Sequence, residues 1–150
     1  MHHRVVLLIL VAGVVAGCQG RAEIFPNSDK NLRKTAAEFA ADAAKRHPYK
    51  SDAPRGGEAI ARAQYGNWMN VLEITNLSAD DWTDVEVWVN KSYVVYLPQM
   101  QRGVLKRIPF QALYNDSGAH FPTSTKKDHV KTVELYRDGQ MWDVKVQLAD

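Results

Sequence analysis

From Ala59 onward, apolar and polar residues alternate with a period of two, turn residues interrupt the run at intervals of roughly 8 to 15 positions, and no second helical repeat follows. Successive side chains of an extended backbone point to opposite faces, so a chain patterned this way buries one face only by joining a sheet. The alternation predicts strands at 60–65, 71–75, 84–89, 93–97, 104–108, 130–136 and 141–148. Seven short strands predict a mainly β fold, a seven-strand antiparallel β-sandwich over 59–150, preceded by one N-terminal α-helix.

Two hairpins anchor this reading. Asp138-Gly139 suits the positive φ angles of a two-residue type I′ turn, which sets Leu135 opposite Trp142 and Val133 opposite Val144. Val146 and Leu148 continue that apolar face, which must be core, and Glu134, Asp143 and Lys145 fall on the solvent face. A two-residue turn at Asn90-Lys91 would set Val87 opposite Val94 and Val85 opposite Tyr96. The other face then presents Trp88 against Tyr93, with Val95 beside Glu86, and is unusually apolar for a solvent face. Trp82 precedes the strand as a core plug. In strand count and spacing the β region resembles immunoglobulin-like and fibronectin-III-like sandwiches. It lacks the Cys-Trp-Cys frame of immunoglobulin domains, and the resemblance is architectural.

The N-terminus carries different information. A basic start at Arg4, an apolar run over 5–15 and small residues before Cys18 read as a secretory signal. As a helix, residues 5–16 would span roughly 18 Å, short of the roughly 30 Å hydrocarbon core of a bilayer. Val15-Ala16-Gly17-Cys18 resembles the lipobox of bacterial lipoproteins at all four positions. The resemblance implies a signal peptide at 1–17, cleavage before Cys18, and acyl chains on that cysteine, which would hold the protein on a membrane. It implies a cell-envelope location facing the periplasm or exterior. Gln19, where aspartate in some lipoproteins signals inner-membrane retention, favours the outer membrane.

Removing the first 17 of the 150 residues, which include Arg4, leaves 133 and lowers the net charge from +2 to +1. No basic bias attracts nucleic acid. Cys18 is the single cysteine, so the exported part has no disulfide and relies on its core, which a chain of this size can supply.

Residues 18–28 read as a tether. A spacer helix follows over 29–47, capped by Asn27 or Ser28, rich in alanine, and ended by the His47-Pro48 step. Leu32, Ala36, Phe39, Ala40 and Ala43 form a thin apolar stripe. It suits a spacer, or a helix loosely docked on its own domain, better than a helix offered to a partner. Residues 48–58, with Pro48, Pro54, Gly56 and Gly57, read as a second linker.

Candidate sites are few. Trp88, Tyr93 and Val95, with Tyr96 and Tyr136 nearby, compose a candidate binding surface for an envelope protein, peptide or glycan. A covering strand or the helical stripe over Trp88 and Tyr93 is the weightier structural alternative. His120 and His129, near Asp116 and Asp128, are the one grouping with metal or acid-base potential, and would serve an envelope hydrolase or metal-dependent protein. Their spacing fits no zinc or copper pattern, and a solvated loop explains them better. Asn115-Asp116-Ser117-Gly118 reads as a turn. Asn76-Leu77-Ser78, Asn90-Lys91-Ser92 and Asn115-Asp116-Ser117 fit the glycosylation sequon by chance. With no nucleophile elbow, phosphate-binding glycine loop or His-Glu-x-x-His, neither catalysis, a cofactor nor a bound metal is expected.

Overall fold

A computed structural model describes residues 35–66, 70–123 and 129–148. The leader, Cys18, the tether, the 29–34 part of the expected helix, and Asp128 lie outside them.

Helix α1 is Ala36–Arg46. Thr35, rather than Asn27 or Ser28, is its cap: its side chain accepts a hydrogen bond from the Glu38 N–H at 3.2 Å, and Glu38 Oε2 accepts one from the Thr35 N–H at 2.7 Å. This reciprocal box satisfies two backbone donors that the first turn leaves unpaired. Lys45 and Arg46 stand at the negative end.

The strands are β1 (Arg55–Gly66), β2 (Val71–Asn76), β3 (Trp82–Val89), β4 (Tyr93–Met100), β5 (Leu105–Pro109), β6 (Val133–Arg137) and β7 (Gln140–Leu148). They form one mixed sheet in the order β4-β3-β6-β7-β1-β2-β5. The antiparallel sandwich is therefore corrected, because β1 and β7 run parallel and join what would have been two layers. The 12 residues of β1 pair with β2 along one edge from Ala61 to Gly66, and with β7 along the other from Arg55 to Tyr65. The sheet curls in a barrel-like manner around a shared core. Leu72, Ile74 and Ile108 from one end meet Val85, Val87 and Leu97 from the other, with Phe110, Leu113 and Phe121 filling the space between. Each fully buried side chain of this kind contributes about 1.5–3 kcal/mol. Trp82 is buried in the same core, as expected.

Residues 55–58, read as linker from their glycines, are strand. Arg55 pairs with Met141, Gly57 with Trp142 and Glu58 with Asp143, with shifts of register on either side. The glycines mark an irregular, close-packed ladder instead of a loop. At Gly56 an added Cβ would lie 2.4 Å from the Trp142 ring.

The last hairpin has the expected register, Leu135 opposite Trp142 and Val133 opposite Val144, and Asp138 and Gly139 take φ of 50° and 77°. The central hairpin does not. Val89 pairs with Tyr93, Val87 with Val95 and Val85 with Leu97, around a three-residue loop. Asn90 causes the difference. Its amide donates to the His129 carbonyl at 2.8 Å and accepts from the N–H groups of Lys131 and Thr132 at 2.7 and 3.2 Å. Asn90 is thereby committed to the segment entering β6, and one further residue closes the turn. A slip of one position exchanges the faces of β4, so Tyr93 and Val95 turn toward the core and Tyr96 turns away.

The free edge of β4 is blunted. Val94 exchanges backbone hydrogen bonds with Tyr114, at 2.9 and 3.1 Å. Two and four residues further along, Tyr96 and Pro98 face the same edge, where proline offers no N–H.

Gly56→Ala is expected to destabilise the fold by about 1–3 kcal/mol, the usual cost of forcing atoms into a filled core. Chemical denaturation checks this.

Candidate functional site

The outer face of β3, β6 and β7 carries Glu86, Trp88, Glu134, Tyr136 and Met141. Simple alternation assigns Glu134 to water, yet it is 2% exposed, Glu86 is 6% exposed and Trp88 is 3% exposed. The cover is α1 and the strap that follows it at 47–54. Ala44 packs with Trp88, Val94 and Met141, and Tyr49 and Ala53 close over them. Tyr49 meets the Trp88 ring edge-on at 5.2 Å.

Polar side chains of the strap meet every buried carboxylate on this face. Lys50 Nζ bonds both oxygens of Glu86 at 2.5 Å, His47 Nδ1 lies 2.8 Å from Oε1, and the Trp88 indole N–H donates to Oε2 at 3.1 Å. Glu134 accepts from the Tyr49 hydroxyl at 2.8 Å and from the Arg55 guanidinium at 2.6 Å. His47 stacks on Tyr96 at 4.8 Å, and the Tyr96 hydroxyl donates to Asp84. Asp84 holds a φ of 52° inside β3, a conformation that aspartate tolerates when its side chain is engaged locally. Burial, and then the bond to Glu134, raise the Tyr49 pKa, with Arg55 opposing. The bond to Asp84 raises that of Tyr96. The bond to Glu134 holds Arg55 protonated. On the opposite half of the sheet, the bonds from Gln64 and Arg107 hold the Glu73 carboxyl below its usual range.

Alanine makes the helix contact, and this corrects the expected stripe. Ala40 and Ala44 are buried, whereas Phe39 is 64% exposed. Small side chains bring the helix backbone close to the turn after β5: a Cβ at Gly118 would lie 2.3 Å from the Ala37 carbonyl oxygen. Close approach at that point leaves a groove of about 780 Å³ beside the helix, lined by Phe39, Ala43, Arg46, Tyr96, Ala112 and Tyr114 among others. A second recess of about 650 Å³ adjoins it past Ala44 and His47, bordered by Lys45, Tyr49, Trp88, Lys91, Tyr93 and Asp116.

The expected surface of Trp88, Tyr93 and Val95 is not assembled as one face. Trp88 lies under the strap, while Tyr93 and Val95 pack against the main core, Tyr93 edge-on to Phe121 at 5.0 Å. Nor do His120, His129 and Asp116 converge. His129 sits among Tyr65, Phe110 and Phe121, with ring centroids 5.2 to 5.4 Å away. His120 Nδ1 lies 3.0 Å from the Phe121 carbonyl oxygen, and Asp116 is exposed on the turn. Among the described residues, no three His, Cys, Asp or Glu side chains group to hold a metal. That turn is as read: Asn115 Oδ1 accepts from Ser117 and from the Ala119 N–H. Asn76 likewise bonds Ser78 and the Asp80 carbonyl, and reaches the Met100 carbonyl, whereas the third sequon asparagine, Asn90, holds the distant segment at 129–132. The Asn-x-Ser pattern recurs here as turn chemistry.

No protein-family model matches the chain, and no curated protein matches it. Among solved structures it is similar to the ligand binding region of Serine-glutamate repeat protein A (SgrA) of Enterococcus faecium, at 15% identity and a TM-score of 0.29, over 63% of this chain and 95% of that one.

The Tyr49 hydroxyl supplies a further test. Because its folded pKa is raised, its contribution to stability is complete below the unfolded value near 10 and disappears as pH rises through the folded value. Tyr49→Phe is expected to cost about 1–2 kcal/mol at neutral pH and to flatten the alkaline limb. Denaturation across pH 8 to 12 reads the limb, and hydrogen exchange should show faster opening of 44–54 with the core strands unchanged.

Proposed function

We propose that this protein is a lipid-anchored lipoprotein of the bacterial cell envelope, whose seven-strand domain is a binding or structural module and not a catalyst. The observation that carries the reading is Val15-Ala16-Gly17-Cys18, with the chain's single cysteine at the end of an apolar leader. Thioether acylation of Cys18 attaches the protein to the membrane, and two or three chains exceed what one chain holds reversibly. Among the described residues no helix is long and apolar enough to cross a membrane; the assignment of the anchor to lipid rests on the motif ending at Cys18. Gln19 favours the outer membrane.

The binding role rests on the groove beside α1, which joins exposed aromatic surface at Phe39 and Tyr96 to a wall of small residues. An envelope protein or glycan is the partner class. No observation favours the metal-dependent alternative at His120, His129 and Asp116.

Metabolic labelling with a radioactive fatty acid should mark the wild type and not Cys18→Ser; equal labelling of the two removes the anchor. In the same cells, a photo-crosslinking residue at position 39 should give a discrete partner adduct that one at Lys145, across the sheet, does not. No adduct at position 39 would leave the domain without a binding role there.

A further inference from the structure

We infer that the groove between α1 and β4, with the recess adjoining it, receives an acidic segment of a partner protein, one that carries an apolar side chain flanked by carboxylates. The inference deepens the binding-module reading, on which it rests, by naming the chemistry of the partner.

Shape and charge carry it. The groove of about 780 Å³ has Phe39 and Tyr96 at its mouth, 64% and 39% exposed, and Ala43 and Ala112 in its wall. A concave apolar space of this size takes inserted side chains; a flat bilayer surface cannot fill it. Lys45, Arg46 and Lys91 border the groove and recess, all three are exposed, and none has an ion-pair partner among the described residues. Lys45 and Arg46 also serve the negative end of the helix. Lys91 has no such duty: it stands on the β3–β4 turn at a φ of 60°, unusual for a lysine. Asp116 is the carboxylate in the same lining, so the site carries an excess of positive charge on a protein of nearly balanced composition. By contrast, among the described residues, Lys50 and Arg55 beside the strap are consumed by Glu86 and Glu134. Uncompensated cations bordering an apolar groove and the more polar recess beside it select an acidic partner over a neutral or basic one.

The test uses the full chain in nanodiscs of zwitterionic phosphatidylcholine, against a displayed library of random 12-residue peptides. The recovered sequences are synthesised with a fluorescent label, and binding is read by anisotropy. Peptides in which aspartate or glutamate flanks an aromatic or aliphatic residue are expected. Reversing Lys45, Arg46 and Lys91 to glutamate should weaken them about tenfold or more, and Ala43→Trp, which fills the groove without touching charge, should do the same while the melting curve holds. Should the triple variant not fold, Lys91→Glu alone, on an exposed turn, carries the charge test. Recovered peptides without acids, binding indifferent to these variants, or a charge-reversal effect on phosphatidylglycerol vesicles in place of peptides would each overturn the inference. Peptides that bind elsewhere overturn the groove and leave the module reading standing; no peptide together with no adduct at position 39 removes both.

Discussion

Two carboxylates, Glu86 and Glu134, sit under cover on the face of the sheet that alternation alone would give to water. A buried carboxylate without partners costs several kcal/mol, and in most proteins such a group stays exposed or neutralises itself. Here the strap after the helix brings His47, Lys50 and Tyr49 to them, and Arg55 joins from the start of β1, so the polar groups are fully satisfied only while the strap is in place. The position of α1, the burial of Trp88 and the existence of the groove all follow from this docking. Apolar contact alone would not fix it, because the helix offers the sheet little more than Ala40 and Ala44.

The same interaction explains why the helix is part of the β body and not a free spacer. Its sequence is almost featureless, and an alanine face specifies no rotation about the axis. Register is set near the two ends, by the backbone contact over Gly118 at the start and by the His47 contact with Glu86 at the finish.

Much of the fold was legible because it follows local rules. Period-two alternation located seven strands, and Asp138-Gly139 set the final register correctly. What was not legible depended on partners distant in sequence. Asn90 reads as a turn residue, but its amide is bound to the segment around Lys131, and this moved the central register by one and sent Tyr93 and Val95 inward. Gly56 and Gly57 read as linker, and only the Trp142 ring shows why glycine belongs there. Of the groove the sequence offered Tyr96 and Val95, and of the recess Trp88, Tyr93 and Asp116, as candidates for unconnected reasons. His47 was missed because it looked like a helix terminator, and because its partner Glu86 falls on the face that alternation gives to water.

The blunted edge of β4 has a consequence for how copies of this protein coexist. Backbone pairing with a neighbour, the route by which sheets grow into fibrils, is obstructed where Tyr114 already occupies the ladder and where Pro98 withdraws a donor, while β5 at the opposite margin bears Lys106 and Arg107. Copies that meet along these margins therefore do so as repelling or indifferent bodies, and remain individually available.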